Sequence, residues 1–246
     1  MGAGLLSLFA LVVIATSIIS GIFGMAGGMI LMGVLVAMLP VSTAMVLHGA
    51  TQMTANGWRA VMWRRNIDLG IFGRYLIGLA LSACVFVFIG FVPDRAAVLL
   101  TLGAVPFLVL LIPASLVPQA NTPYGAQLCG FLNASLQFTA GVSGPMLDVF
   151  FVRSQMDRRM VVATKAACQT ISHLAKLIYF MNIMGTSPAD IDSLTLAIGV
   201  IMAILGTSLS KLALDRLTDH QFRRWTRWLV LTVGSVYLVQ GTILLL

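Results

Sequence analysis

Apolar runs dominate the chain, and short polar or charged stretches punctuate them at intervals that suit membrane-spanning helices, each of which needs roughly 20 residues. Leu5 to Leu39 carries no charge and is interrupted at Gly24-Met25-Ala26-Gly27-Gly28. Pro40 ends that run, and Ser42 or Thr43 is placed to cap the next helix. Thr43 to Trp63 predicts a span that closes in Arg64-Arg65-Asn66-Ile67-Asp68. Leu69 to Val92 predicts another, closed by Pro93-Asp94-Arg95. Ala96 to Val117 follows, with Pro106 and Pro113 as expected kinks. Gly125 to Val152 resembles the first run and has its own break at Gly141 to Pro145. Arg159 to Met184, Ile191 to Leu214 and Trp228 to Leu246 complete the predicted spans, with a basic loop from Asp215 to Arg227.

Two helices carry polar stripes. His48, Gln52 and Asn56 are spaced i, i+4, i+8 and share one helix face. Lys165, Gln169 and His173 repeat that spacing, with Ser172 and Lys176 beside them. Interhelical hydrogen bonding would account for the amides and imidazoles alone. Lysine at membrane depth is costlier and marks a pathway by default.

The stripes belong to an internal repeat. A shift of 117 residues lays Gly24 on Gly141, Gly27 on Gly144, Met29 on Met146, Ala50 on Ala167 and Gln52 on Gln169. The same shift puts His48 on Lys165 and Asn56 on His173. The predicted units are residues 1–117 and 118–246. Charge placement then sets orientation, because cytoplasmic loops collect Lys and Arg. In the first half the basic turn follows the second element, at Arg59, Arg64 and Arg65; in the second half it follows the broken segment, at Arg153, Arg158 and Arg159, and the next turn is acidic, at Asp190 and Asp192. The halves therefore insert in opposite senses, as inverted repeats do. Two spans separate the basic turns, so Gly125 to Val152 is expected to dip in and return as a re-entrant hairpin. Leu5 to Leu39 would do the same, leaving both termini outside. The competing layout makes each broken segment one long kinked span and leaves one basic turn on the wrong side. The fold class is all-α polytopic membrane protein: two inverted repeats, each a broken or re-entrant hairpin plus three transmembrane helices.

Composition narrows the class further. The chain has 246 residues, 59% hydrophobic and 9% charged, far short of the roughly 25% charge of a soluble domain. The net charge of +7 sits in short loops, where it orients helices rather than binding nucleic acid. No positive n-region precedes the first apolar run, so no cleaved signal peptide is expected. Cys84, Cys129 and Cys168 lie in apolar runs without a CxxC or a His/Cys cluster, so neither a metal, a disulfide nor a cofactor is expected.

The remaining chemistry points to an anion. Ser143-Gly144-Pro145 reads as a helix start, with Ser as N-cap and Pro in the first turn. Such a start near mid-membrane offers free N–H groups and the positive dipole end. Gly27 and Gly28 would offer bare N–H groups from the other break; close helix packing is the plainer use of such glycines. The candidate binding set is Gly27, Gly28, His48, Gln52, Asn56, Ser143, Gly144, Lys165, Gln169, Ser172 and His173. Asp148 is the one acid inside a broken segment, a partner for Arg153 or Lys165 and a candidate for ion coupling. Histidine gives a route to pH coupling.

The motifs G-M-A-G-G-M-I-L and G-V-S-G-P-M-L, each followed by a helix with a polar face, resemble those of the TauE/SafE sulfite exporter family, also called the toluene-sulfonate uptake permease family. The resemblance covers nearly the whole chain. It implies a multi-pass permease of the bacterial inner membrane for sulfite, organosulfonates or related small anions; with the inverted repeats the expectation is an exporter working by alternating access, and without a metal-ligand cluster or a Ser/His/Asp set no enzyme is expected. A proton- or cation-coupled permease for another small ion or carboxylate, and a non-transporting scaffold, remain the alternatives. An apolar helix face reads the same for a second copy as for the lipid bilayer, so a homodimer stays open.

Overall fold

The computed structural model describes residues 2–23, 26–113, 115–151, 156–183, 191–214 and 219–246, without the side chains of residues 3, 183, 211–214 and 219–223. Gly24, Arg153 and Asp190, used above in the repeat and in the charge reading, lie outside the described residues.

Ten α-helices and no strand appear among the described residues. They are α1 (Ala3–Phe23), α2 (Ala26–Met38), α3 (Val41–Met62), α4 (Leu69–Ile89), α5 (Arg95–Leu111), α6 (Gly125–Ala140), α7 (Gly144–Phe151), α8 (Arg158–Ile183), α9 (Ser193–Leu214) and α10 (Asp219–Ile243). Stretches of α1, α4 and α9 (Gly4–Phe23, Leu69–Ile89, Ser193–Ser210) are long and apolar enough to cross a membrane. Large apolar side chains such as Leu11, Ile77, Phe88 and Val239 face outward, as a bilayer in place of water requires.

Local chemistry sets the helix ends. Asp68 and Asp94 cap α4 and α5 through their carboxylates, which accept from the N–H of Ile71 and Ala97 at 2.9 and 2.7 Å. Gly90 closes α4 in the left-handed conformation, and Tyr179 donates its hydroxyl to the carbonyl of Phe91 at 2.7 Å.

Several sequence expectations change. The cap of α3 is Pro40, not Ser42 or Thr43, because the proline sits at φ −55° and ψ 146° and the helix already runs from Val41. Pro106 lies inside α5, but Pro113 does not kink it: the helix stops at Leu111, and Ile112 is extended at ψ 115°, as a residue before proline prefers to be. The basic stretch before the last span is not all loop, since α10 begins at Asp219 and carries Arg223, Arg224 and Arg227. The broken segments are unequal. α6 and α7 have 16 and 8 residues, whereas α1 has 21, roughly 31 Å and long enough to span by itself.

Between the first five helices and the last five, the packing partners are α1 with α9, α4 with α6, α3 with α9, α4 with α8, α1 with α10, α5 with α6, α2 with α10, α5 with α7, α3 with α8 and α5 with α10. When α1 to α5 are matched in order with α6 to α10, each of these pairings maps onto another of them or onto itself. Glycines allow the closest approaches. Gly78 of α4 faces the Gln127 carbonyl and Gly130 of α6 faces the Tyr75 carbonyl. Gly103 and Gly234 lie against each other's carbonyls where α5 meets α10. Two element ends keep the 117-residue spacing: Phe23 and Ala140 end α1 and α6, and Val41 and Arg158 begin α3 and α8.

Candidate functional site

α3 and α8 cross at the centre of the bundle and carry the two polar stripes into contact. They run antiparallel. Gly49 faces Lys176 and His173, Gly57 faces Thr170, and the N–H of Asp68 donates to Thr164 Oγ1 at 2.9 Å. The stripes therefore meet end to end, with Gln52 and Gln169 in the middle.

On one side of those glutamines a fully buried relay joins the two breaks. Lys176 is 0% exposed and donates from Nζ to the Gly141 carbonyl at 2.9 Å and to His48 Nδ1 at 2.7 Å. His48, also 0% exposed, meets the Gly28 carbonyl through Nε2 at 3.0 Å. A carbonyl can only accept, so Nε2 carries the proton and Nδ1 offers its lone pair to Lys176. Gly141 is the chain reversal after α6, at φ +76°, and a Cβ there would press on the sulfurs of Met45 and Met32.

Unspent donors surround this relay. Gln52 lies against Gly28, and its Nε2 is buried without a partner. Gln137 donates from Nε2 to Gln169 Oε1 at 3.1 Å and approaches His173 Nε2 at 3.4 Å. That leaves His173 Nδ1 buried and unpaired, 4% exposed overall, with its ring centroid 5.5 Å from that of His48. Ser143, 0% exposed, gives its carbonyl to Leu147 N–H at 3.1 Å, but its Oγ has no partner. It therefore precedes α7 at the expected place without capping it through the side chain. Gly27, Gly28 and Gly144 are buried at the two breaks. A Cβ on Gly27 would strike the Thr16 carbonyl and Ser20, so α2 leaves α1 only because this residue lacks one.

Beyond the glutamines lies a second polar group. Asn56 donates to the Gln52 carbonyl at 2.9 Å. Arg59 reaches the Ser20 carbonyl at 3.3 Å and Asn56 Oδ1 at 3.5 Å. Lys165 pairs with Asp148, the two side chains 24% and 40% exposed. Asp148 thus takes Lys165, one of its two expected partners, and Arg153 lies outside the described residues.

Ser172 turns away from the relay. Its Oγ shares a 2.6 Å hydrogen bond with the Tyr75 hydroxyl and accepts from Asn133 Nδ2 at 3.2 Å, and Asn133 also contacts that hydroxyl. This knot joins α4, α6 and α8. The structure brings His48, Gln52, Gln169, His173, Ser143 and the glycines together around the relay. It sets Asn56 and Lys165 further along the crossing and gives Ser172 to the knot. The candidate binding set leaves out Lys176, although it lies beside the second stripe, and Gln137, Tyr75 and Asn133. Lys176 had a signal: it lies 117 residues after Arg59, which was counted only as part of a basic turn.

Chemically, the centre presents one buried lysine amine, two imidazoles and several free N–H and O–H donors. Among the described residues Lys176 has no carboxylate partner, and no group of three metal-ligating side chains occurs. A model of the family described as sulfite exporter TauE/SafE matches residues 8–237. No curated protein and no solved structure matches the chain.

Proposed function

The chain belongs to the sulfite exporter TauE/SafE family, and from that premise we propose that it exports a small sulfur oxyanion, sulfite or a short organosulfonate, held between the two helix breaks. The family and the apolar helices make it a multi-pass membrane protein; the bacterial inner membrane is the setting proposed here.

One observation carries the reading: the Lys176 side chain is wholly buried, and among the described residues its Nζ meets only a carbonyl and an imidazole nitrogen, with no carboxylate to balance a proton there. Burying an unpaired cation costs several kcal/mol. A bound oxyanion supplies the missing charge. Gln52 Nε2, His173 Nδ1 and Ser143 Oγ, each buried without a partner, supply hydrogen bonds to its oxygens. Gln169, Gly27, Gly28 and Gly144 shape the same space. A cation would meet an ammonium and donors there, with no carboxylate among the described residues, so the anion is favoured over the cation-coupled alternative.

The two units, residues 1–117 and 118–246, act as inverted repeats in this reading. The support is the exchange of helix pairings between α1 to α5 and α6 to α10, and the 117-residue spacing of the ends of α1 and α6 and of the starts of α3 and α8. Alternating access follows from rocking one repeat against the other around the α3–α8 crossing. Within that scheme α6 and α7 form the re-entrant hairpin, while α1 reaches across.

The test is thermal stability of the purified protein with sulfite, sulfoacetate, sulfate and a sodium chloride control. A ligand of the native state raises Tm by mass action. We expect a sulfur oxyanion, but not chloride, to do so, and Lys176→Met to abolish the rise. Stabilisation that survives Lys176→Met would move the anion elsewhere, and no stabilisation by any of these anions would remove the reading.

A further inference from the structure

The relay has a counterpart. Under the 117-residue correspondence His48 matches Lys165, and Lys176 matches Arg59. Gln52 and Gln169 match each other and lie between the two pairs. For antiparallel helices that exchange places, the pair His48–Lys176 therefore maps onto Lys165–Arg59 across the crossing. Both pairs hold cationic side chains, but their surroundings differ. His48 and Lys176 are fully buried, whereas Lys165 is 24% exposed and its partner Asp148 40%. The exposed pair lies at the end of the crossing where α3 ends and α8 begins, next to Arg64, Arg65, Arg158 and Arg159.

We propose that Arg59 and Lys165 form a second anion subsite beside Asn56 on that basic side of the glutamines, and that the Asp148 carboxylate fills it until a substrate oxyanion displaces it. This rests on the proposed anion transport for its substrate class, sulfite or a sulfonate. Asp148 sits on α7, the short helix that follows the second break, and its carboxylate contacts the Lys165 ammonium directly. It shows what the subsite accepts: an oxygen anion. Arg59 is the neighbouring cation. With Gly57 against Thr170 and the Asp68 N–H on Thr164, the antiparallel crossing puts Arg59 and Lys165 in the same stretch of the α3–α8 contact, and Arg59 has no carboxylate of its own among the described residues. Its bonds to the Ser20 carbonyl and Asn56 Oδ1, at 3.3 and 3.5 Å, are long ones. Two adjacent cations with one tethered carboxylate keep a net positive charge, which draws anions to the mouth. A tethered group competes at an effective concentration set by its tether. A free oxyanion must therefore exceed that competition to enter. Once bound to Lys165 and Arg59, it lies beyond the Gln52–Gln169 pair from Lys176, one step from the buried relay.

The experiment uses the full chain in proteoliposomes, with Cys84, Cys129 and Cys168 replaced by alanine and Asn56→Cys introduced. The probe is sulfonatoethyl methanethiosulfonate, an impermeant thiol reagent that carries a sulfonate. It is applied to the face bearing Arg64 and Arg65. We expect Asn56→Cys to be modified from that face, and Asp148→Asn to speed modification about three-fold, the scale of a partly exposed ion pair. Lys165→Met should slow it, and Asp148→Asn should add nothing once Lys165 is methionine. Equal rates with and without Asp148, or an Asp148→Asn effect that persists beside Lys165→Met, would overturn the subsite. If Asp148→Asn fails to fold, protection of Asn56→Cys by sulfoacetate in the Asp148 chain decides: protection supports the subsite and its absence overturns it. The labelling needs only a sulfonate at the mouth. A chain that moves no sulfur oxyanion but labels as described would lose the proposed function and keep the subsite.

Discussion

At the scale of single residues, the molecule turns on where it places its few charges. Lys176 is among the largest fully buried side chains, in company with Tyr75, Phe138 and Phe150. Lys176→Met keeps its length and removes its charge. It leaves His48 Nδ1 and the Gly141 carbonyl without their donor, which costs about 1–3 kcal/mol for each unsatisfied group. The expected outcome is a fall in affinity for the oxyanion of at least ten-fold by isothermal titration. Tyr75→Phe is the contrasting case. It removes the hydroxyl from the knot with Ser172 and Asn133, away from the relay. Thermal denaturation should register a loss of about 1–2 kcal/mol, with oxyanion affinity unchanged; a parallel loss of affinity would return Ser172 to the binding set. The stripes were readable because helical spacing is a local property. The knot was not, because Tyr75 and Asn133 come from α4 and α6, and no spacing within one helix announces a contact between three. Lys176 falls between these cases, since the repeat offset that matched His48 with Lys165 also matches it with Arg59.

At the scale of elements, the breaks rather than the spans carry the specific information. Both were visible as glycine clusters, and the second resolves into a left-handed Gly141 followed by α7. Gly141→Ala puts a Cβ at φ +76° and against Met32 and Met45. The left-handed backbone alone costs a non-glycine residue about 1–2 kcal/mol. The Lys176 acceptor belongs to the same residue, so the variant should lower Tm and weaken anion binding together. A drop in Tm with unchanged affinity would show that the carbonyl keeps its place despite the strain. The unequal legs were less legible. The 117-residue match fixes where α1 and α6 end but not where they begin. The structure starts α6 at Gly125, where a Cβ would strike the Gln119 carbonyl, a contact made by the preceding turn and not written into the helix.

At the scale of the whole molecule, α1 to α5 and α6 to α10 share a packing plan but not the residues at equivalent places. His48 answers Lys165, Arg59 answers Lys176, and Asp148 answers Leu31, which is fully buried. In proteoliposomes of uniform orientation, half-saturation by the oxyanion should therefore differ between the two faces. Asp148→Asn should shift it mainly on the face bearing Arg64 and Arg65. Identical half-saturation on both faces would mean that the differences between the halves have no energetic consequence. A further constraint follows from that asymmetry. For a carrier working without a coupling ion, detailed balance requires Vmax/KM to be equal in the two directions. Whatever His48, Arg59, Lys165 and Lys176 do to favour loading from one face must then reappear as a proportionate slowing of maximal flux from that face. Unlike residues in like positions can set the concentrations at which each direction saturates, but net export must still draw its free energy from a gradient.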